Sequence, residues 1–313
     1  MTTLTRREAL LGAAAMAAAA TGASPARAAT APAFHRVQVG ALEVFVVNDG
    51  SVTRPDATRG FVTNVPTEQV AGAMQSAGLQ GTALESPYNV TILRTPRGLV
   101  MFDAGTGGLS GPNTGTGPAN MRAAGLDPAQ VTLIVHTHFH GDHINGLTTN
   151  EGVANFPNAQ IMVPEREWSF WNDAGEESRA TEFRRPGFAL VRRRFAPYQG
   201  RVTTYGPGAQ VAPGVTAVTT PGHSPGHTSL LIADGNAQLL VLGDAVHAPQ
   251  LFLPNPDWVP IFDMDANQAV ETRRRLLDRL ATDRIPVVGY HFPMPATGRV
   301  ERAGTGYRLV AGA

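Results

Sequence analysis

Short apolar runs recur along the chain, and most of them end at a turn signal. Val37 to Asp49 alternates apolar and polar positions and ends in Asp49-Gly50, which predicts an opening pair of strands. Further apolar and β-branched runs predict strands at 88–94, 99–102, 131–135, 159–163, 215–218, 239–242 and 286–288. Helical spacing predicts helices at 67–77, 119–124, 164–171 and 266–281, the last with Asp265 as its N-cap. Strands and helices therefore mix along the chain, and no long linker or internal repeat divides it.

The segment directly after the predicted strand at 131–135 carries the strongest chemical signal. Within six residues it places His138, His140, Asp142 and His143. Imidazole and carboxylate together suit zinc and similar divalent ions. Because alternate residues of an extended segment face the same way, His138 and His140 can share one ion while the other two reach a second. A His-rich surface turn is the alternative, but a solvated loop has no need of this spacing.

A two-ion site needs further ligands from distant parts of the chain. His223, Asp244 and His291 each follow a predicted strand. These three residues would supply the additional imidazoles and the bridging carboxylate that such a site requires. Asp103 also follows a predicted strand, and two interpretations of it stay open. It either orients a ligand histidine or serves only as a turn residue.

Composition excludes several other mechanisms. The 313 residues contain no cysteine and no lysine, so a thiol nucleophile, a Schiff-base lysine and a P-loop lysine are ruled out. Lys+Arg and Asp+Glu both total 25, and a neutral chain gives no electrostatic footprint for nucleic acid. Gly222 to Gly226 matches the G-x-S-x-G serine elbow, but Pro225 lacks the N–H that would face an oxyanion there. A serine mechanism is therefore disfavoured.

The N-terminal stretch has the features of an export signal. Arg6-Arg7 precede an Ala-rich run from Ala9 to Ala20, and Ala26-Arg27-Ala28 offers a cleavage site. These features predict a twin-arginine-type signal peptide at 1–28, with an ordinary export signal or an N-terminal anchor as the alternative. The run is too short and too Ala-rich to predict a membrane span. We therefore expect a single domain at 29–313, located in the periplasm or secreted.

Residues 168–198 combine aromatic side chains with arginines, and two interpretations of this segment stay open. Aromatic residues at such spacing are usually core, and arginine runs are usually solvated. The alternative is an aromatic lid over the metal site, which would favour a small apolar or aromatic ester as substrate. The aromatic residues are Trp168, Phe170, Trp171, Phe183, Phe188, Phe195 and Tyr198.

The H-x-H-x-D-H run, with a histidine, an aspartate and a histidine after later strands, resembles the metallo-β-lactamase superfamily. The resemblance covers nearly all of 29–313. It implies a four-layer αββα sandwich of the α/β (α+β) class, with two mixed sheets and a two-metal site at one edge. By motif position, the first ion would be held by His138, His140 and His223. The second would be held by Asp142, His143 and His291, and Asp244 would bridge both. The analogy places His227 next to the ligands, and it gives no role to His35, His136 or His247.

Within the superfamily, the chain resembles the methyl parathion hydrolase branch. The shared features include Ala124 to Pro128 and Tyr290 to Pro295, whereas Ala296-Thr297-Gly298 departs from the branch pattern. The resemblance implies a binuclear hydrolase in which a metal-bridging hydroxide cleaves esters, with lactones or aryl esters first and phosphotriesters as the alternative. Zinc is the expected metal, and manganese, cobalt or iron are also compatible. Asp142 would orient the attacking water and shuttle its proton, with Asp244 as the second catalytic carboxylate.

Other activities share parts of this pattern. A β-lactamase, a single-iron dioxygenase and a non-catalytic metal-binding protein stay open as alternatives. A flavodi-iron redox protein would carry glutamate at the position of His140. An RNA-processing nuclease is opposed by export and by the absence of a basic arm. The sequence leaves a homodimer open.

Overall fold

The computed structural model describes residues 33–311, so the predicted signal peptide at 1–28 lies outside the described residues. The first of two seven-stranded sheets has its strands in chain order. They are β1 (Phe34–Val39), β2 (Leu42–Arg54), β3 (Leu84–Thr95), β4 (Gly98–Phe102), β5 (Val131–Val135), β6 (Gln160–Pro164) and β7 (Val202–Tyr205). Strands β1 to β4 pair antiparallel and β4 to β7 pair parallel, so the sheet is mixed.

The second sheet runs in the order β14-β13-β12-β11-β10-β9-β8. Its strands are β8 (Gln210–Ala212), β9 (Val215–Thr219), β10 (Thr228–Asp234), β11 (Ala237–Val241), β12 (Pro286–Val288), β13 (Thr297–Ala303) and β14 (Gly306–Val310). Only β11 and β12 pair parallel within this sheet as described, so it is also mixed. Both sheets therefore have the mixed character that the αββα prediction requires.

Eight α-helices occur within residues 33–311. They are α1 (Thr67–Ser76), α2 (Gly117–Ala123), α3 (Gly141–Ile144), α4 (Glu165–Trp171), α5 (Ala174–Arg179), α6 (Arg185–Phe195), α7 (Pro249–Phe252) and α8 (Ala266–Asp283). Short 3₁₀ segments lie at Pro128–Gln130, Asn145–Leu147 and Ala196–Tyr198. Asp265 caps α8 as predicted, since its carboxylate accepts a hydrogen bond from the Gln268 N–H. None of these helices has the length and apolarity needed to cross a membrane.

Two hydrophobic cores hold the layers together. The larger one lies between the sheets, where residues such as Val44 and Leu93 pack in one cluster with Leu230 and Val287. The smaller one joins the other face of the first sheet to helices α2, α4 and α6. Helix α8 contacts β13 and adds Leu277 to the larger core. The two sheets and the helices packed on them form the predicted αββα sandwich, and the fold-class prediction is confirmed.

The predicted turn at Asp49-Gly50 is wrong. Strand β2 continues to Arg54, and its pairing with β3 shifts register between Asn48 and Ser51. Gly50 has φ +102°, a backbone conformation that favours glycine, so the turn signal in the sequence marks a β-bulge inside the strand. Asp49 is buried at this bulge, and its carboxylate accepts hydrogen bonds from Thr106 and Gly117. The bulge therefore anchors the Gly-rich loop after β4.

The segment 168–198 is mostly core, as the first interpretation predicts. Trp171, Phe188, Phe195 and Tyr198 are buried in the smaller core. Phe183 is the exception, because 72% of its surface is exposed.

The expectation that the arginines of this segment are all solvated is wrong for Arg194. Its guanidinium is buried and donates hydrogen bonds to Asn145 Oδ1, Thr148 Oγ1 and the Thr149 carbonyl. These bonds replace water and tie α6 to the chain that follows α3. The predicted start of the helix at Pro164 is also shifted by one residue. Pro164 ends β6 and is the N-cap of α4.

Candidate metal centre

Strand direction brings the predicted ligands to one edge of the sandwich. Strands β4 and β5 are parallel, so Asp103 and His138 leave the first sheet at the same end. In the second sheet β9 and β11 are both antiparallel to β10, and β12 is parallel to β11. The carboxyl ends of β9, β11 and β12 therefore share an edge, which places His223, Asp244 and His291 together.

The first cluster contains His138, His140, His223 and Asp244, with one ligand atom of each lying within 4.8 Å of all the others. The His223 Nε2 atom lies 2.8 Å from His140 Nδ1. The Asp244 Oδ2 atom lies 3.4 Å from His223 Nε2 and 3.8 Å from His138 Nε2. Three nitrogens and one oxygen that converge in this way match the ligand number of a zinc site.

The second cluster contains Asp142, His143, Asp244 and His291. The His143 Nε2 atom lies 3.2 Å from Asp244 Oδ1 and 3.5 Å from Asp142 Oδ2. The His291 Nε2 atom lies 3.4 Å from Asp142 Oδ2 and 3.2 Å from Asp244 Oδ2. Asp244 belongs to both clusters, and its two oxygens face different rings. The structure thus brings together all seven residues that the sequence pointed to.

Unpaired polar atoms test whether this centre fits metal ions. His138 Nε2, His143 Nε2 and Asp244 Oδ1 are buried and have no hydrogen-bond partner within residues 33–311. A buried polar atom without a partner costs about 1–3 kcal/mol, so an arrangement of three of them at one point needs a compensating group. Divalent cations satisfy nitrogen and carboxylate lone pairs together, and the residues present therefore fit such ions.

Hydrogen bonds at the far nitrogens fix the orientation of the rings. His143 Nδ1 lies 2.8 Å from Asp103 Oδ2, and His223 Nδ1 lies 3.0 Å from Asp263 Oδ1. His291 Nδ1 lies 3.0 Å from the Pro87 carbonyl. Each of these oxygens is an acceptor, so each Nδ1 donates its proton and Nε2 presents its lone pair to the centre. The orienting interpretation of Asp103 is the one that agrees with this contact.

A separate contact positions Asp244. The Asp244 backbone N–H donates to His227 Nε2 at 2.9 Å, so His227 lies next to the ligands, as expected, and outside both clusters. Gly243 has φ +57°, and a Cβ there would lie 2.7 Å from His227 Nε2. Any other residue at 243 would push His227 away from the Asp244 backbone. The dipeptide Gly243-Asp244 is therefore required as a unit.

Burial controls the protonation of the first cluster. It lowers the pKa of His138 and His223 well below the ordinary histidine value and that of His140 to about 4. These rings are therefore neutral at pH 7, which is the form that binds a metal.

The second cluster has the opposite balance. Burial acts to lower the pKa of His143, but the carboxylates of Asp244, Asp142 and Asp103 outweigh it and raise that pKa. Three carboxylates around one ring create a strongly negative pocket. A divalent cation would compensate this charge more completely than a single proton does.

Several residues at the centre had no role in the sequence analysis. Asp263 lies between His223 and the buried Arg273, whose guanidinium donates to Asp263 Oδ2 at 2.7 Å. His247 lies in a third His/Asp group with His223 and Asp263, and its ring stacks on His291 at 5.1 Å. The only sequence signal for His247 was its place three residues after Asp244.

Glu167 and Tyr290 brace the centre without belonging to a cluster. The buried Glu167 carboxylate accepts hydrogen bonds from the Phe139 and Gly226 backbones, from Trp171 Nε1 and from Ser224 Oγ. Tyr290 stacks on His143 at 3.8 Å and donates to the Asp142 carbonyl. Ser224, which donates to Glu167, is fully buried. The G-x-S-x-G match is therefore left without an accessible nucleophile. No sequence pattern distinguished Glu167 from an exposed helical glutamate.

The remaining two histidines differ from each other. His136 is buried, with Nδ1 3.5 Å from Asp103 Oδ1, so it adds to the packing behind the ligands. His35 lies on β1, in the edge strand of the first sheet. Neither residue belongs to a cluster of possible metal ligands among residues 33–311.

A cavity of about 590 Å³ opens above the two clusters. Its floor includes His140, Asp142, Asp244 and His291. Its walls are mainly aromatic and apolar, with contributions from Phe61, Tyr88, Phe139, Trp171, Phe183, Leu190, Phe262 and Met264. The cavity is large enough for a small organic molecule, and it gives such a molecule access to the side chains of the two clusters.

A mixed αββα sandwich with paired His/Asp clusters at one edge defines a class of metal-binding α/β proteins. Within that class, the sequence profile of the Metallo-beta-lactamase superfamily matches residues 84–289, and the chain belongs to this superfamily. The matched region contains six of the seven clustered residues. His291 lies two residues beyond it.

The relatives with names include lactonases. N-acyl homoserine lactonase AttM of Azorhizobium caulinodans is 31% identical over 172 residues, which are 51% of this chain and 59% of AttM. The chain thus spans less than two thirds of the length of that curated relative.

Among solved structures, hydrolase AbOPH of the beta lactamase superfamily is 26% identical, with a TM-score of 0.84 over 91% of this chain and 99% of AbOPH. AidC, a dizinc quorum-quenching lactonase, has a TM-score of 0.82 at 23% identity over 90% of this chain and 97% of AidC. The likeness to AidC shows a shared fold.

Proposed function

We propose that the chain is a metal-dependent hydrolase of ester bonds, with lactones and aryl esters as its preferred substrates. The observation that carries the proposal is the position of Asp244. Its two oxygens face ligand nitrogens of both clusters, and the cavity opens directly above it. The named lactonase relatives support lactones as the first substrates to test.

The residues would hold two divalent ions, with zinc as the first candidate. His138, His140 and His223 would bind one ion, and Asp142, His143 and His291 would bind the other, with Asp244 shared. When bound, two such ions lower the pKa of water toward about 7, polarise the scissile carbonyl and stabilise the anion that develops. The hydrogen bonds that Asp103, Asp263 and the Pro87 carbonyl accept from the ring nitrogens would keep the imidazoles in position during this chemistry.

Asp142 is the carboxylate placed to move a proton. Its side chain is 22% exposed and lines the cavity, whereas the Asp244 side chain is 3% exposed. Asp142 can therefore accept the proton of an attacking water at a carboxylate oxygen and return it to the leaving alkoxide. The aromatic walls exclude bulk water from the acyl or aryl group of the substrate and would favour apolar substrates.

We also propose export to the periplasm or beyond, guided by Arg6-Arg7, which precede the described residues. A metal-loaded enzyme that folds before export would suit the twin-arginine route. Detection of processed protein in the periplasmic fraction, and its loss when both arginines are replaced by lysine, tests this part separately.

The experiment for activity is a hydrolysis screen of the metal-loaded protein. The panel contains N-acyl homoserine lactones, aryl lactones, p-nitrophenyl esters, a paraoxon-type phosphotriester and nitrocefin. We expect the highest kcat/KM for a lactone or an aryl ester and loss of activity after chelation, with recovery on addition of zinc. A preference for the phosphotriester or for nitrocefin would reassign the substrate. No turnover of any compound, combined with stoichiometric metal binding, would contradict the proposal and favour a metal-binding protein.

A further inference from the structure

Two arginines line the cavity far from each other in sequence. Arg54 is the last residue of β2, and Arg184 directly precedes α6. Both are partly buried. Composition alone gave a neutral chain, so local positive charge at the mouth of the cavity is a property of the fold.

Arg54 is held by aromatic rings. Its guanidinium carbon lies 5.0 Å from the centre of the Phe61 ring and 5.7 Å from that of the Phe262 ring. Ring contacts of this kind fix a guanidinium through its flat face. The N–H groups at its edge are left for a partner in the cavity, since Arg54 makes no side-chain hydrogen bond within residues 33–311.

Arg184 contacts the loop that carries Phe262, through the two residues that follow this ring. One terminal nitrogen donates to the carbonyls of Asp263 and Met264, both at 3.3 Å. The other N–H groups of its guanidinium make no hydrogen bond with the part of the chain that the structure describes. The loop at 262–264 therefore anchors both guanidinium groups, and it also carries the Asp263 carboxylate that contacts His223. Arg54 and Arg184 are fixed relative to the clusters by this loop.

Neither charge is balanced locally. Among residues 33–311, no carboxylate oxygen lies within 4 Å of either guanidinium, whereas other arginines, such as Arg192 and Arg273, each have one that close. The only carboxylates that line the cavity, within the described residues, are Asp142 and Asp244. Both belong to the metal-ligand clusters, where bound cations would neutralise them. The mouth of the cavity therefore carries two positive charges and the floor carries the reacting centre.

We propose that Arg54 and Arg184 bind a carboxylate at the end of the substrate that is remote from the scissile ester bond. This inference rests on the proposed function and specifies its substrate class. A guanidinium edge matches the two oxygens of a carboxylate, and an interaction inside a partly dehydrated cavity is stronger than one at the open surface. The substrate would have an apolar middle section, which contacts the aromatic walls, and one anionic end.

A matched pair of esters tests the proposal. The 4-nitrophenyl ester of hexanoic acid and the mono-4-nitrophenyl ester of adipic acid share a six-carbon acyl chain, and only the second ends in a carboxylate. We expect the wild-type protein to have a lower KM for the adipate ester. Arg54→Gln and Arg184→Gln should each raise that KM by about tenfold, which corresponds to about 1.4 kcal/mol. The KM for the hexanoate ester should change by less than about twofold, and kcat for both esters should be retained.

Arg185→Gln is the control variant, because Arg185 is the exposed neighbour of Arg184 and does not line the cavity. It removes the same charge and should leave both KM values unchanged. A wild-type protein that favours the hexanoate ester would overturn the proposal. Equal loss for both esters in the two arginine variants would also overturn it, since that result indicates a packing role.

Equilibrium binding separates this proposal from the activity itself. Titration calorimetry with adipamate and hexanamide, which have no ester to cleave, compares an anionic ligand with a neutral one. We expect adipamate to bind more tightly and Arg54→Gln and Arg184→Gln to remove the difference. If adipamate binding survives both substitutions, the carboxylate contacts the metal centre and the proposal is wrong. If no ester is hydrolysed but this binding pattern holds, the proposed function is wrong and the anion site stands.

Discussion

The floor and the mouth of the cavity are built in different ways. On the floor, His138, His143 and Asp244 are buried, and hydrogen-bonded partners behind the floor hold the ligand rings and Asp244 in place. At the mouth, Phe183 is largely exposed, and within residues 33–311 the Arg184 guanidinium makes two hydrogen bonds, both of 3.3 Å. Hydrogen bonds from several directions thus fix the floor, whereas the mouth combines a largely exposed ring with guanidinium groups that keep unpaired N–H groups within residues 33–311. We infer that the floor determines the type of reaction and the mouth determines the substrate.

The largest effect is expected from removing the residue shared by both clusters. Asp244→Ala should reduce the metal content below one ion per chain and lower kcat/KM by more than the roughly 100-fold that follows from losing an orienting partner. Elemental analysis and the ester assay measure both quantities. Asp283→Ala, at an exposed position of α8, is the control. Retention of two ions by Asp244→Ala would show that the floor does not depend on this carboxylate.

A smaller effect on metal affinity is expected at Asp263, which contacts His223 and belongs to neither of the two clusters around Asp244. Asp263→Asn keeps an acceptor for His223 but leaves the buried Arg273 charge without its ion pair. We expect metal affinity at the first cluster to fall by about 10- to 100-fold and the protein to become less stable. Metal titration and thermal unfolding test this expectation. Asp257→Asn breaks an exposed ion pair with Arg274 instead and should cost less than about 1 kcal/mol. Equal effects of the two substitutions would show that the contacts of Asp263 behind the floor contribute no more than an exposed ion pair.

Glu167→Gln tests the bracing of the floor without touching the clusters. The carboxylate accepts four hydrogen bonds, and a glutamine would present an amide N–H₂ group to some of these donors. We expect the free energy of unfolding to fall by about 1–3 kcal/mol, measured by denaturant titration. Glu165→Gln lies two residues earlier on the exposed side of α4 and should change stability by less than about 0.5 kcal/mol. If Glu167→Gln is as stable as the wild-type protein, the link between α4 and the turn at 223–226 contributes little.

The smallest effect is expected at the mouth. Phe183→Ala should leave stability within about 0.5 kcal/mol, because the ring is mostly exposed and packs against little. It should raise the KM for apolar esters by a few-fold through loss of wall contact, with kcat retained. Val153→Ala, at a position that is 61% exposed and away from the cavity, serves as the control. A large fall in kcat for Phe183→Ala would show that the mouth also takes part in the chemistry.

Much of the fold could be predicted because its signals are local. Buried strands such as β5 and β11 are mainly apolar, and α8 shows its apolar face and its Asp265 cap in the sequence. Edge strands such as β14 mix polar and apolar residues and gave no such signal. The Asp49-Gly50 pair was misinterpreted because a β-bulge and a chain reversal use the same glycine conformation. Only the pairing of β2 with β3 distinguishes them.

The sequence by itself identified the seven residues of the two His/Asp clusters, since the H-x-H-x-D-H run and the later histidines and aspartate follow predicted strands. It also excluded a thiol or a lysine of these 313 residues from the chemistry. The tertiary structure decided which residues support the two clusters. Asp263 and Glu167 contact side chains that are distant in sequence, and His227 accepts a hydrogen bond from the Asp244 backbone. The tertiary structure also decided the charge at the mouth, because Arg54 and Arg184, which are distant in sequence, both contact the loop at 262–264. The end of a strand can be predicted from the neighbouring residues, whereas contacts between side chains of the two sheets depend on how the sheets pack.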